Sequence, residues 1–133
     1  MIEYLVDTDW VVDYLKGRSY AVQGLSPLVR RRALATTVIT LAEVYDGLLG
    51  ASERERRILE FYSFLNAIPC LGIGTAEAQV FARIRYTLRQ RGELIPDMDM
   101  LIAAVALHGN LVLVTNDEHF ERIPELRLTR SPV

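Results

Sequence analysis

Lysine, cysteine and histidine are nearly absent from this chain, and each scarcity closes a route. Cys70 is the only cysteine, which excludes a disulfide within the chain and agrees with a reducing cytosol. His108 and His119 are the only histidines, so with one thiol a zinc site is poorly provided for. Lys16 is the only lysine, against fourteen arginines. The longest apolar run, Met100–Leu107, is far too short to span a bilayer. The N-terminus lacks a basic segment followed by an apolar one, so no secretory signal is expected. The chain is therefore read as cytoplasmic, without membrane contact. Internal repeats and Pro/Gly/Ser-rich linkers are missing too. With 133 residues, half of them apolar, one domain over residues 1–133 with one substantial core is expected. The net charge of −2 does not mark a nucleic-acid binder by bulk electrostatics.

What the chain does contain is an alternation of short apolar runs and helical patterns. Residues 2–6 read as a strand and Asp7–Lys16 as a helix ended by Gly17. Residues 20–31 look helical, with a break expected at Pro27. Residues 34–38 make a second strand, and Ile39–Leu49 a helix stopped by Gly50. Its apolar stripe is read as Val38, Leu41, Ala42, Tyr45, Leu48 and Leu49. Ser52, with Glu55 three residues on, forms a capping box for the next helix. Residues 67–73 are a third strand, followed by a helix over Thr75–Arg91 closed by Gly92. PDMDMLIAAVALHGN (96–110) is a helix apolar nearly all round, and LVLVT (111–115) a strand with both faces covered. NDEHFERI (116–123) reads as a short helix and LRLTR (126–130) as a candidate edge strand. Strands alternating with helices predict an α/β domain with a mostly parallel sheet.

In such sheets ligands gather beyond the carboxyl ends of the strands. That rule selects Asp7 and Asp9 after the first strand, Thr36 and Thr37 in the second, and Thr115, Asn116 and Asp117 after the fourth. Acids also cap the helices that follow strands, so position alone leaves both roles open.

Two chemistries suit the carboxylates. VDTDWV matches the DxDx(T/V) opening of haloacid-dehalogenase-type phosphatases, with Asp7 as nucleophile and Asp9 as acid/base. That chemistry needs a lysine from a later segment, and beyond Lys16 there is none. The other is a hydrolase whose Mg²⁺ or Mn²⁺ is held by hard carboxylate oxygens alone.

The order and contexts of the acids resemble one family. LVDTDWVVDYL, TTVITLAEVYDGL, DMLIAAVALHGNLVLVTND and HFERIPELRL look like PIN-domain ribonucleases, specifically VapC-type toxins of toxin–antitoxin pairs. The resemblance runs from Asp7 to about Leu128. It implies a PIN-like three-layer α/β/α domain with a mostly parallel central sheet of four to five strands. Carried over residue by residue, the family's acidic quartet falls on Asp7, Glu43, Asp99 and Asp117. Asp7 and Asp99 would bind the metal directly; Glu43 and Asp117 would bind a second ion or orient water. Thr8, Asp9, Thr115 and Asn116 occupy supporting positions. The implied reaction is RNA phosphodiester hydrolysis by metal-activated water, leaving 5′-phosphate and 3′-hydroxyl ends. A homodimer and a cognate antitoxin covering the acidic pocket are implied as well. A non-catalytic module with the same fold, or a nuclease acting on DNA or maturing ribosomal RNA, are the other readings.

Electrostatics supplies an independent reason for a cation. Unit charges about 5 Å apart at an effective dielectric of about 20 repel by about 3 kcal/mol. Four clustered carboxylates make six such pairs, costing on the order of ten kcal/mol unless some protonate or a divalent ion binds.

By pattern alone Glu43 sits beside an apolar stripe, where a solvated glutamate is the default; the resemblance reverses that. Asp97 and Asp99 lie roughly 200° apart on a helix, so Asp97 is assigned the N-cap and Asp99 the metal. Asp9 either joins the site or caps its helix. Asp13 and Asp46 read as surface acids and His108 as a complement to a helix dipole; His119, two residues from Asp117, could approach an active site, with a solvated helix face as the default. Arg85 and Arg89, one turn apart, are candidates for contacting RNA phosphates, although a salt-bridged surface explains them equally. Arg30–Arg32 form a second cluster. Leu48, Leu49, Phe61, Tyr62 and Phe64 are candidates for an antitoxin groove or dimer surface, or for plain core packing.

Overall fold

Leu5 and Val6, adjacent in sequence, face opposite sides of one sheet, and each side is closed by its own set of helices. The computed structural model describes residues 1–132; Val133, the last residue of the expected domain, lies outside the described residues. Its strands are Tyr4–Val6 (β1), Leu34–Thr37 (β2), Cys70–Leu71 (β3), Val112–Val114 (β4) and Leu128–Thr129 (β5). They pair in parallel in the order β3-β2-β1-β4-β5. The helices are Thr8–Leu15 (α1), Ser19–Arg30 (α2), Val38–Leu49 (α3), Arg54–Ala67 (α4), Thr75–Arg91 (α5) and Asp97–His108 (α6), followed by a 3-10 turn at Glu118–Arg122.

Register explains the two-sided core. Leu5 is level with Ala35 and Leu113, and all three pack with Ile84, Leu88, Met100 and Phe120 from α5, α6 and the 3-10 turn. Val6 is level with Val114, and both join Trp10, Leu25, Val44 and Phe61 from α1 to α4. Helices on both faces of a parallel sheet make a three-layer α/β/α domain. Leaving β1 the chain builds β2 and β3 on one side, whereas β4 and β5 lie on the other. The strand order therefore reverses between β1 and β4, which opens a crevice at their carboxyl ends.

Several boundaries differ from the pattern reading. The strand expected over 67–73 shrinks to Cys70–Leu71 because α4 continues to Ala67. Val38 belongs to α3, since Thr37 caps that helix by accepting the Thr40 N–H at 3.0 Å. The stripe assigned to α3 is also wrong in part. Thr40 and Val44 form its buried face, while Val38, Ala42 and Leu49 are exposed. This helix is apolar on nearly every side, so periodicity cannot select the buried face.

Pro27 does not break α2, which runs through it. Pro27 and Gln23, whose carbonyl loses its partner, are both exposed to water, while Ala21, Leu25 and Leu28 anchor the opposite face. Ser52 is not a cap: α4 starts at Arg54 after Glu53, which takes a left-handed conformation (φ 54°). The first turn is instead tied by Glu53–Arg56 at 2.7 Å. Phe61 and Phe64 are core residues, whereas Leu49 and Tyr62 remain at the surface.

Leu113 is fully buried at the centre of the sheet. Leu113→Ala is expected to lower the free energy of unfolding by about 2–5 kcal/mol, read from the urea midpoint. A loss below about 1 kcal/mol would mean that the two-sided core is looser than described.

Candidate active site

Where β1 ends, Asp7 continues the ladder by donating its N–H to the Val114 carbonyl at 3.0 Å. Its extended backbone makes it the N-cap of α1, and Oδ1 accepts the Thr8 N–H at 2.7 Å. Oδ2 accepts the Thr115 hydroxyl at 2.8 Å, across the gap between β1 and β4. The residue is only 5% exposed. Burial pushes its pKa up to about 7; the two hydrogen bonds oppose this, while the charges of Asp9 and Asp99 add to it.

Thr8 carries the connection to α3. Its hydroxyl lies 2.6 Å from Glu43 Oε1 and 3.1 Å from Thr40 Oγ1. With one hydrogen it donates to the carboxylate and accepts from Thr40. Glu43 is thereby fixed beside Thr8, where its charge acts on Asp99. Asp99 enters from the first turn of α6, where the positive end of the helix dipole favours an acid. Burial holds it above the ordinary carboxylate range, Asp117 and Glu43 push it further, and His119 only partly offsets them. Asp117 follows β4 and caps the 3-10 turn, with Oδ1 accepting the His119 N–H at 2.9 Å. Its own N–H donates to Thr115 Oγ1 at 3.0 Å. One threonine hydroxyl thus holds Asp7 and the backbone of Asp117 together.

The four acids named from sequence come from the end of β1, α3, α6 and the segment after β4, and Asp99 acts electrically with each of the other three. Thr8 bonds to Asp7 and Glu43, and Thr115 to Asp7 and the backbone of Asp117. Asp9 is exposed and does not cap α1, because Asp7 does; it adds negative charge at the rim. Asn116 turns away and donates to the Tyr20 hydroxyl at 3.2 Å; that hydroxyl in turn donates to Asp13. Asp13, read as a surface acid, is thus engaged by Tyr20 and by Arg18 at 3.2 Å. Asp97 is not an N-cap: Pro96 holds that position, and Asp97 pairs with Arg85 at 3.1 Å. Arg85 therefore already has an acidic partner, and Arg89 lies over the Tyr86 ring at 5.6 Å. Arg31 pairs with Glu3 at 2.7 Å.

His119 combines the two roles open to it, remaining exposed to solvent and approaching the acids. Its Nδ1 lies 3.6 Å from Asp99 and 3.4 Å from Asp117, so it faces the acids. Its neighbour Phe120 is fully buried and fixes the turn, a signal that could have set the outward reading aside. Lys16 caps the far end of α1 from Asp7, roughly 12 Å of helix away, which leaves an aspartyl-phosphate reaction without its lysine.

The donor set suits a divalent cation. Hard carboxylate oxygens converge here, and the proton affinities of Asp7 and Asp99 are raised by burial first and by neighbouring acids next, as in a site short of positive charge. One ligand atom each from Asp99, Asp117 and His119 lies within 4.8 Å of the others. Among the described residues no helix is long and apolar enough to cross a membrane.

Comparison with known proteins adds an independent line. The family model described as PIN domain matches residues 4–126. Ribonuclease VapC2 of Haemophilus influenzae is 33% identical over 129 residues, 96% of each chain. A chain in the crystal structure of VapBC2 from Rickettsia felis bound to a DNA fragment from their promoter superposes with a TM-score of 0.88. It is 29% identical, covering 97% of this chain and 98% of that one. A chain in the crystal structure of DNA-bound VapBC from Salmonella typhimurium gives 0.89 at 26% identity, covering 97% and 98%.

Asp7 generates a pH prediction for the metal-free protein. Its folded pKa of about 7 lies above the ordinary 3.8, so its stabilising contribution is complete below about pH 4 and is lost as pH rises through 7. Between pH 5 and 8 the melting temperature in EDTA should fall, and Asp7→Asn should flatten that fall. At pH 8 the variant should be more stable by on the order of a few kcal/mol. An unchanged slope in Asp7→Asn would contradict the assignment of strain to this carboxylate.

Proposed function

The chain belongs to the PIN-domain family, and from that premise we propose that it is a Mg²⁺- or Mn²⁺-dependent endoribonuclease of the VapC toxin type. The observation that carries the proposal is the convergence of carboxylates at the β1/β4 crevice, where Asp7 is raised by burial and by Asp99, and Asp99 by burial, Asp117 and Glu43. Asp7 and Asp99 would hold the ion directly, and Glu43 and Asp117 would hold a second ion or orient water. A bound divalent ion supplies a water nucleophile of lowered pKa and stabilises charge on a phosphate oxygen. The residues of the chain do the rest. Thr115 and the Thr8 N–H fix both oxygens of Asp7, so the carboxylate cannot swing away from an incoming phosphate. The Thr8 hydroxyl aims Glu43, and the capped turn aims Asp117. In-line attack on an RNA phosphodiester leaves 5′-phosphate and 3′-hydroxyl ends. No histidine is required as base. The proposal includes a single domain over residues 1–133, a cytoplasmic location and a homodimer. Arg85 and Arg89 stay as candidate phosphate contacts, with Arg85 obliged to exchange Asp97 for RNA.

Regulation by a cognate antitoxin belongs to the same proposal. A groove of about 530 Å³ runs between α1, α3 and α4, lined by Leu15, Val44 and Leu48 and reaching Glu43. Arg57 also lines it, and its buried Nε has no hydrogen-bond partner among the described residues. A segment with apolar side chains and a carboxylate for Arg57 would fit the groove and cover the acids. Structures similar to this chain are VapBC complexes, which supports a protein partner.

Incubation with total RNA and Mg²⁺, followed by mapping of the ends, tests the proposal. Cleavage should stop in EDTA, leave 5′-phosphates, and fall by about 10²-fold or more in Asp99→Asn. Asp46→Asn, an exposed acid on α3, should cleave normally. Full-rate cleavage by Asp99→Asn would overturn the assignment.

A further inference from the structure

His119 offers the crevice a nitrogen donor: one ligand atom each from His119, Asp99 and Asp117 lies within 4.8 Å of the others. Nδ1 stands 3.4 Å from Asp117 Oδ1 and 3.6 Å from Asp99 Oδ2. An imidazolium clamping a carboxylate closes to about 2.7–2.9 Å. His119 does so with neither acid, although it sits between both. Two atoms sharing one ion at about 2.1 Å are held about 3.0–3.4 Å apart, depending on coordination geometry. The Asp117 separation stands at the upper end of that edge and the Asp99 separation 0.2 Å beyond it, so a small inward movement of His119 would complete the set.

Local structure makes this placement rigid. Asp117 caps the 3-10 turn through the His119 N–H at 2.9 Å, so the two side chains start from one fixed turn. Phe120, the next residue, is fully buried among α6 residues, locking the turn against the helix that carries Asp99. The imidazole is half-exposed, which leaves the outer side open for water and a phosphate oxygen.

We propose that His119 is a direct metal ligand which, with Asp99 and Asp117, forms a second ion position selective for a transition metal such as Mn²⁺ over Mg²⁺. The inference rests on reading the crevice as a divalent-metal site. An imidazole nitrogen suits first-row transition ions, whereas Mg²⁺ prefers oxygen and keeps its waters. Asp7, which lies on the other side of Thr115 and meets only oxygen and N–H groups, belongs to a position indifferent to that choice. The chain thus has two unlike metal positions: one of oxygen alone, one of mixed donors.

Pulsed electron paramagnetic resonance of the full chain loaded with Mn²⁺ reads this without reference to activity. The wild type should show ¹⁴N modulation from a directly bound imidazole, and His119→Gln should lose it. Mn²⁺ affinity, titrated from the free-ion signal, should fall about tenfold or more in His119→Gln. Mg²⁺ affinity, from competition, should change less than about twofold. Absence of ¹⁴N modulation in the wild type, its persistence in His119→Gln, or equal losses for the two ions would overturn the proposal. The two readings fail separately. RNA cleavage in Mg²⁺ without ¹⁴N coupling removes only the His119 ligand, and ¹⁴N coupling without cleavage removes only the ribonuclease.

Discussion

Negative charge forced together at the carboxyl ends of β1 and β4 is the constraint around which this molecule is arranged. A parallel sheet whose strand order reverses between two neighbours leaves a crevice that no following helix can fill. Here that crevice receives carboxylates from a strand end, two helices and a turn. Burial and mutual repulsion drive Asp7 to titrate near neutrality. Such a cluster stores free energy that protonation releases, and a cation releases it without giving up the charge.

Threonine hydroxyls hold the cluster in place. Thr115 spans Asp7 and the backbone of Asp117, and Thr8 spans Glu43 and Thr40. A hydroxyl both donates and accepts, so it can fix a carboxylate with one hand and the scaffold with the other. A lysine or arginine there would neutralise the acids and remove the reason for a metal. The scarcity of lysine and the crevice's lack of arginine contacts among the bonds described are consistent with that requirement.

Much of this was legible in the residues. Alternating strands and helices with a continuous apolar LVLVT run gave the parallel sheet, because both of its faces are covered and its strands need no polar side. Asp7 and Asp117 stood out as acids beyond strand ends. Glu43 did not, since a glutamate beside an apolar stripe looks ordinary until the fold turns α3 toward the crevice; only family resemblance picked it. His119 stayed open between site and solvent because the direction of a side chain on a single 3-10 turn depends on how deeply Phe120 is buried, a tertiary fact. Asp97 failed as a cap for a similar reason: Arg85, twelve residues earlier, captures it across two packed helices. Pro27 and Ser52 show local rules overridden, one by solvent-facing geometry and the other by a left-handed residue at Glu53.

The groove between α1, α3 and α4 reaches Glu43, so a protein seated there would meet an acid that the proposed hydrolysis uses. In the proposed function inhibition and catalysis would compete for one patch, and both would rest on these acids binding a cation. Anomalous scattering from crystals soaked in Mn²⁺ measures that directly. A peak within about 2.5 Å of carboxylate oxygens of Asp7 and Asp99 is the predicted result. No peak there at saturating Mn²⁺, or a peak only at other acids, would contradict it.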